Sequence, residues 1–134
     1  MAKLEDIEGI GKKYADTLKK AGVRGTNDLL AKGAKPDGRK KIAKDTGLSD
    51  KLILEWVNHC DLYRIKGVGS EYADLLEEAG VDTVVELAGR KAANLAEAMK
   101  ATNDKKKLVR QLPSLSRVED WVKQAKALPR VVTY

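Results

Sequence analysis

Apolar residues recur along this chain at helical spacing, in short runs cut by glycine and proline. Tyr14, Leu18 and Ala21 fall at i, i+4 and i+7, one face of a helix that Gly22 terminates. Thr26 is a good N-cap for a short helix through Leu29 and Leu30, which Gly33 ends. Pro36 opens a segment running to Gly47 with Ile42 and Ala43 inward, and Ser49 caps a longer helix in which Leu52, Ile53, Trp56 and Val57 share a face. That helix either runs through Cys60 into residues 61–64 or stops and restarts there. Farther on, Thr83-Val-Val-Glu86 reads as a capping box before a short helix, and Ala92 to Ala101 as another helix. Thr102 or Asn103 starts a basic helix from Lys105 to Arg110, stopped near Pro113. Ser116-Arg-Val-Glu119 reads as a second capping box, opening a helix with Val118, Trp121, Val122, Ala125 and Leu128 on one face until Pro129. Val84-Val85 and Val131-Val132 are too short and isolated to suggest a sheet. The pattern predicts an all-α protein.

The pattern also repeats. At an offset of 58, Leu4/Leu62, Ile7/Ile65, Gly9/Gly67, Gly11/Gly69, Tyr14/Tyr72, Ala15/Ala73, Asp16/Asp74, Leu18/Leu76, Ala21/Ala79, Gly22/Gly80 and Val23/Val81 all match, 11 identities in 20 positions. Roughly one would arise by chance, so the chain is two copies of one unit. Leu29 matches Leu87 at the same offset. Trp56 and Trp121 correspond only at an offset of 65, which places about seven extra residues in the second copy. The reading is a first repeat at 1–61 and a second at 62–134, each of about five short helices. No flexible linker separates them, and the expected relation is pseudo-twofold, with the repeats packed together through the tryptophan-bearing helices. Both tryptophans are expected in the cores.

Each copy opens with an apolar residue, then Gly-apolar-Gly, then a helix. Gly9 and Gly11 allow backbone conformations that a side chain disfavours, and Ile10 between them can point inward. This arrangement resembles the helix-hairpin-helix motif of many nucleic-acid-binding proteins. Over nearly all 134 residues the tandem layout is similar to an uncharacterised bacterial family of paired helix-hairpin-helix domains, a domain of unknown function. The resemblance implies that hairpin amides take one backbone phosphate and that basic residues just after the hairpin add charge. Carried onto this chain, those amides belong to Gly9, Ile10, Gly11 and Lys12, with Lys12 and Lys13 as cations; in the second copy Gly67, Val68 and Gly69 keep the hairpin, with Lys66 as its base. The segment carrying Lys35, Arg39, Lys40, Lys41 and Lys44 adds further positive charge. Phosphate contacts carry no base information, so such binding is independent of sequence.

Charge separates the copies. Overall there are 26 basic and 20 acidic residues, a net of +6 and a pI near 9.4, which favours polyanions. Lys12-Lys13 nevertheless becomes Ser70-Glu71, and Lys19-Lys20 becomes Glu77-Glu78. From Ile65 to Leu87 one base, Lys66, stands against Glu71, Asp74, Glu77, Glu78, Asp82 and Glu86, a net of −5. Asp74, Glu77 and Glu78 form a like-charged cluster on one helix face, which is unfavourable unless something basic meets it. The expected match is either the Lys105–Arg110 run of the same half or the first unit of another molecule, the latter a head-to-tail self-association.

Other chemistry is weaker. One histidine and one cysteine supply no metal-ligand set and no internal disulfide, and no cofactor is expected. Gly9-Ile-Gly-Lys-Lys-Tyr14 lacks the sixth glycine and the preceding strand of a dinucleotide site. His59 and Cys60 are helix neighbours that point apart, with no third group to orient them, so His59 is expected exposed and Cys60 half-buried. No catalytic residue is singled out, and the expectation is a non-enzymatic protein. With no apolar stretch fit for a signal peptide or membrane span, a cytoplasmic location and no membrane partner are expected. Two functions remain. One is sequence-independent binding to duplex DNA or structured RNA through the hairpin amides and lysines. The other is a protein-interaction or scaffold module, in which the hairpins are structural and the acidic second unit meets a basic partner.

Overall fold

The computed structural model describes residues 3–7 and 9–134, and among them it is all-α: a 3-10 turn (Leu4–Asp6), eight helices and no strand. The helices are α1 (Gly11–Lys20), α2 (Thr26–Gly33), α3 (Pro36–Thr46), α4 (Asp50–Leu62), α5 (Ser70–Glu78), α6 (Val84–Ala88), α7 (Ala92–Lys106) and α8 (Leu115–Ala127). They divide into two compact units, Met1–Asp61 with Val131–Tyr134, and Leu62–Arg130.

In the first unit α1 packs on the 3-10 turn and on α3, and α2 packs on α3. Leu4, Ile7, Ile10, Leu18, Leu29, Ile53 and Trp56 are almost wholly buried. Backbones approach closely where α2 meets α3, since a Cβ on Gly38 would lie 1.9 Å from the Lys32 carbonyl oxygen; a Cβ on Gly33 would lie 2.5 Å from Val57 Cγ2 of α4. Residues 131–134 complete this unit. The Thr133 N–H donates to the Ala34 carbonyl at 2.8 Å, and Val132 is buried. Between them stands Arg39, which donates to the carbonyls of Gly33 (2.8 Å), Ala34 (3.1 Å) and Thr133 (2.7 Å). The tail therefore belongs with the first copy, through bonds to residues nearly a hundred positions earlier.

In the second unit α8 packs against both α6 and α7, and α5 packs on α7. Trp121, Val118 and Ala125 of α8 meet Leu75, Leu76, Leu87, Leu95 and Met99 in one cluster. The extra residues of this copy fall at the end of α7 and in the connection 107–114.

Several local devices occur in both units at matching positions. After α1, the Gly22 N–H donates to Lys19 and the Val23 N–H to Leu18, with Gly22 at φ +91°; after α5, Gly80 donates to Glu77 and Val81 to Leu76, with Gly80 at φ +101°. Each is a Schellman closure, in which a left-handed glycine lets two otherwise orphaned carbonyls be satisfied. A basic side chain sits over each of these glycines. Lys32 donates to the Gly22 carbonyl, and Arg90, its counterpart, comes within 3.7 Å of where a Gly80 Cβ would be. The helix starts are matched too: the Asp28 carboxylate accepts from the Arg24 N–H (3.0 Å), and the Glu86 carboxylate from the Asp82 N–H (3.3 Å). That backbone bond, foremost, holds Asp28 below its ordinary pKa, with Lys32 adding to it.

Some boundaries differ from those the spacing predicts. Lys105–Arg110 is not a separate helix. α7 runs through to Lys106 and ends at Lys107, which adopts φ +51°. The Asn103 side chain then ties the connection shut, donating to the Val109 carbonyl and accepting from the Val109 N–H. A side chain suited to starting a helix here closes a loop instead. α8 is capped by Ser114, whose hydroxyl accepts from the Arg117 N–H, so Ser116 lies inside the helix. Gly25, not Thr26, is the N-cap of α2. Ser49 does cap α4, accepting from the Leu52 N–H at 3.1 Å, and α4 runs on to Leu62. From Trp56 to Leu62 every residue is buried, so His59 has no exposed face.

Candidate nucleic-acid interface

Two glycine turns precede α1 and α5, and their frame is common. Ile10 donates to the Ile7 carbonyl and Val68 to the Ile65 carbonyl, each at 3.1 Å. Gly9 and Gly67 take φ +88° and +96°. Ile10 and Val68 point into their cores at 2% and 6% exposure. Beneath each turn lies a tryptophan with a tyrosine against it: Tyr14 and Trp56 have ring centroids 5.5 Å apart, Tyr72 and Trp121 5.3 Å. A Cβ on Gly9 would lie 3.6 Å from Trp56 Nε1, and one on Gly67 3.1 Å from Trp121 Nε1. Handedness calls for glycine at both positions, and at Gly67 the nearer indole adds a limit of space, whereas 3.6 Å at Gly9 is ordinary contact.

The internal bonds correct the amide set expected from sequence. The N–H groups of Ile10 and Val68 are closed from within. Lys66 is closed as well, its N–H donating to Gln124 Oε1 (2.8 Å) while its carbonyl accepts from Gln124 Nε2 (3.2 Å). The N-terminal amides of α1 and α5 lack intrahelical acceptors by construction, and the N-cap residues, Ile10 and Gly69, supply no capping side chain. The turns differ at their second glycine: Gly11 is left-handed at φ +59°, whereas Gly69 is extended at φ −98°.

Lys12 and Lys13 are exposed in the first turn of α1 and make no ion pair with another described residue. Lys35 and Lys40 are exposed at and near the start of α3, which packs against α1. Lys41 is exposed too, but pairs with Asp45 at 2.7 Å. Arg39 leaves the set. At 6% exposure its guanidinium is occupied by three carbonyls of its own unit, because α2 and the tail leave acceptors there that only a long forked donor can reach. Burial pulls its pKa below arginine's usual value, while Tyr134 and Asp50 oppose that shift. It lines a shallow hollow of about 360 Å³ with Pro36, Leu54 and Tyr134.

In the second unit Lys66 is exposed, and Glu78 of α5 is paired with Lys106 of α7, the intramolecular match expected for that carboxylate. A residue the sequence did not single out stands at this turn. Arg117 of α8 places its guanidinium over the rings of Tyr72 (5.3 Å) and Trp121 (5.7 Å). Its Nη2 is 3.6 Å from where a Gly67 Cβ would be. Both tryptophans are 1% exposed and so form core, with no face for base stacking. Burial, aided by Asp61, pushes the Cys60 thiol up to about 12, which keeps it protonated and poorly nucleophilic at neutral pH.

No curated protein and no solved structure matches this chain. A family model described as a domain of unknown function (DUF4332) matches residues 8–128, and the chain belongs to that family.

Proposed function

We propose that the two glycine turns are helix-hairpin-helix units and that the protein is a non-enzymatic module binding the phosphodiester backbone of duplex DNA, independently of sequence. The observation that carries the proposal is the placement of Lys12 and Lys13: exposed, unpaired among the described residues, and in the first helical turn after a glycine corner. Lysines there add their charge to the positive end of α1, where an anion is favoured. Lys35 and Lys40 extend the basic surface on α3. Closure of the Ile10 amide narrows the backbone contribution to the helix start and leaves the lysines as the larger part of the attraction.

Salt dependence tests this reading. If about three phosphates are neutralised, duplex affinity falls roughly forty-fold between 50 and 200 mM salt, as counterion release requires. Lys12→Glu with Lys13→Glu abolishes retardation in a gel-shift series, whereas Lys105→Glu with Lys106→Glu does less. Absence of any retarded duplex at low salt rejects the proposal.

The scaffold reading is favoured by one feature. In the second unit the Lys66 and Val68 amides are both held internally, as expected of a joint between helices. Co-purification of a protein partner that survives nuclease treatment would support it over nucleic-acid binding.

A further inference from the structure

Lys12 and Lys13 have no counterpart in the second copy, where Ser70 and Glu71 stand. The reverse exchange occurs on the last helix. Arg117 corresponds to Leu52 at the offset of 65 that aligns the tryptophans, so an apolar residue of the first copy is a cation in the second. We infer that Arg117 is the phosphate-binding cation of the second glycine turn, an inference that rests on the duplex-binding reading above. Positive charge absent from α5 returns to the same turn from α8.

Three observations carry it. First, the guanidinium has a platform: it lies over both the Tyr72 and Trp121 rings, and Trp121 is a core residue at 1% exposure. A cation held against aromatic faces loses little further freedom when a ligand arrives. Second, its Nη2 stands at the turn itself, 3.6 Å from where a Gly67 Cβ would be, so the second glycine turn has a guanidinium within reach of it. Third, it makes no ion pair with any described residue, although the stretch from Ile65 to Leu87 carries a net charge of −5. An exposed arginine in so acidic a stretch would ordinarily turn toward a carboxylate; here the guanidinium lies against the two rings instead. A planar guanidinium presents two parallel N–H groups, which suits a phosphate better than a lone lysine would. Exposed Lys66 stands beside it on the turn, its backbone clamped by Gln124.

The test compares Arg117→Gln and Arg117→Glu with the unaltered protein on one duplex at 50 and 200 mM salt, with thermal melting of each variant. Arg117→Gln is expected to lower the salt slope by about 1, so that the forty-fold loss becomes roughly twelve-fold, at an unchanged melting cooperativity. Arg117→Glu weakens binding further at 50 mM. If both variants bind with the unaltered slope and affinity while Lys12→Glu with Lys13→Glu abolishes binding, the duplex-binding reading stands and the assignment of Arg117 is overturned. If the unaltered protein retards no duplex, both fall. A variant that melts early yet keeps the full slope also overturns the assignment, since it marks Arg117 as a packing residue.

Discussion

The two glycine turns share a frame and differ in what they present. Both descend on a buried indole, both tuck an apolar residue beneath, and both close the same amide on a carbonyl three residues back. Around the first, residues 7–29 hold Lys12, Lys13, Lys19, Lys20 and Arg24 against Glu8, Asp16 and Asp28, a net of +2; the equivalent stretch of the second has −5. Repetition has preserved what the backbone requires and left the solvent face free to diverge. Core positions answer to packing, where one methylene is felt, whereas exposed positions answer to partners.

The shared frame is where disruption costs most. Trp56→Ala and Trp121→Ala should each destabilise their unit by about 3–5 kcal/mol, measured by denaturant unfolding. A much smaller loss in one unit would break the likeness. Next come the glycines that need a positive φ. Gly9→Ala and Gly67→Ala should each cost about 1–3 kcal/mol. The Gly67 variant should cost more, because its Cβ is pressed against Trp121 Nε1 at 3.1 Å, against 3.6 Å for Gly9 and Trp56. Equal shifts in melting temperature would show that space under the turn does not distinguish them. Smaller again is Gln124→Ala, which removes both bonds to the Lys66 backbone and should cost about 1–2 kcal/mol. Amide hydrogen exchange at Lys66 should rise in that variant while Val68 stays protected.

Much of this could be read from the chain. The offset of 58 located both turns, the glycines that need left-handed backbone and the tyrosines that meet the tryptophans, because those features are set by short-range backbone chemistry repeated twice. Residues whose role depends on distant chain segments were not legible. Arg39 sits in a basic run and reads as a surface cation, yet it is buried by a tail segment 94 positions away. Arg117 reads as one more base on an amphipathic helix, and only the packing of α8 brings it over Tyr72 and Gly67. Gly38 carries no signal in the sequence; its reason is the Lys32 carbonyl, 1.9 Å from the Cβ it lacks. Asn103 offered a helix start and instead closes a loop, a choice between two local hydrogen-bonding patterns that composition does not decide.

Because the bonds from Arg39 to Thr133 and from Thr133 to Ala34 tie the first unit to segments on either side of the second, its closure waits on the whole intervening chain. During synthesis the last acceptor of that guanidinium, Thr133, is added after every residue of the second unit, which is continuous in sequence. The unit begun first is thus the one whose parts are all present last.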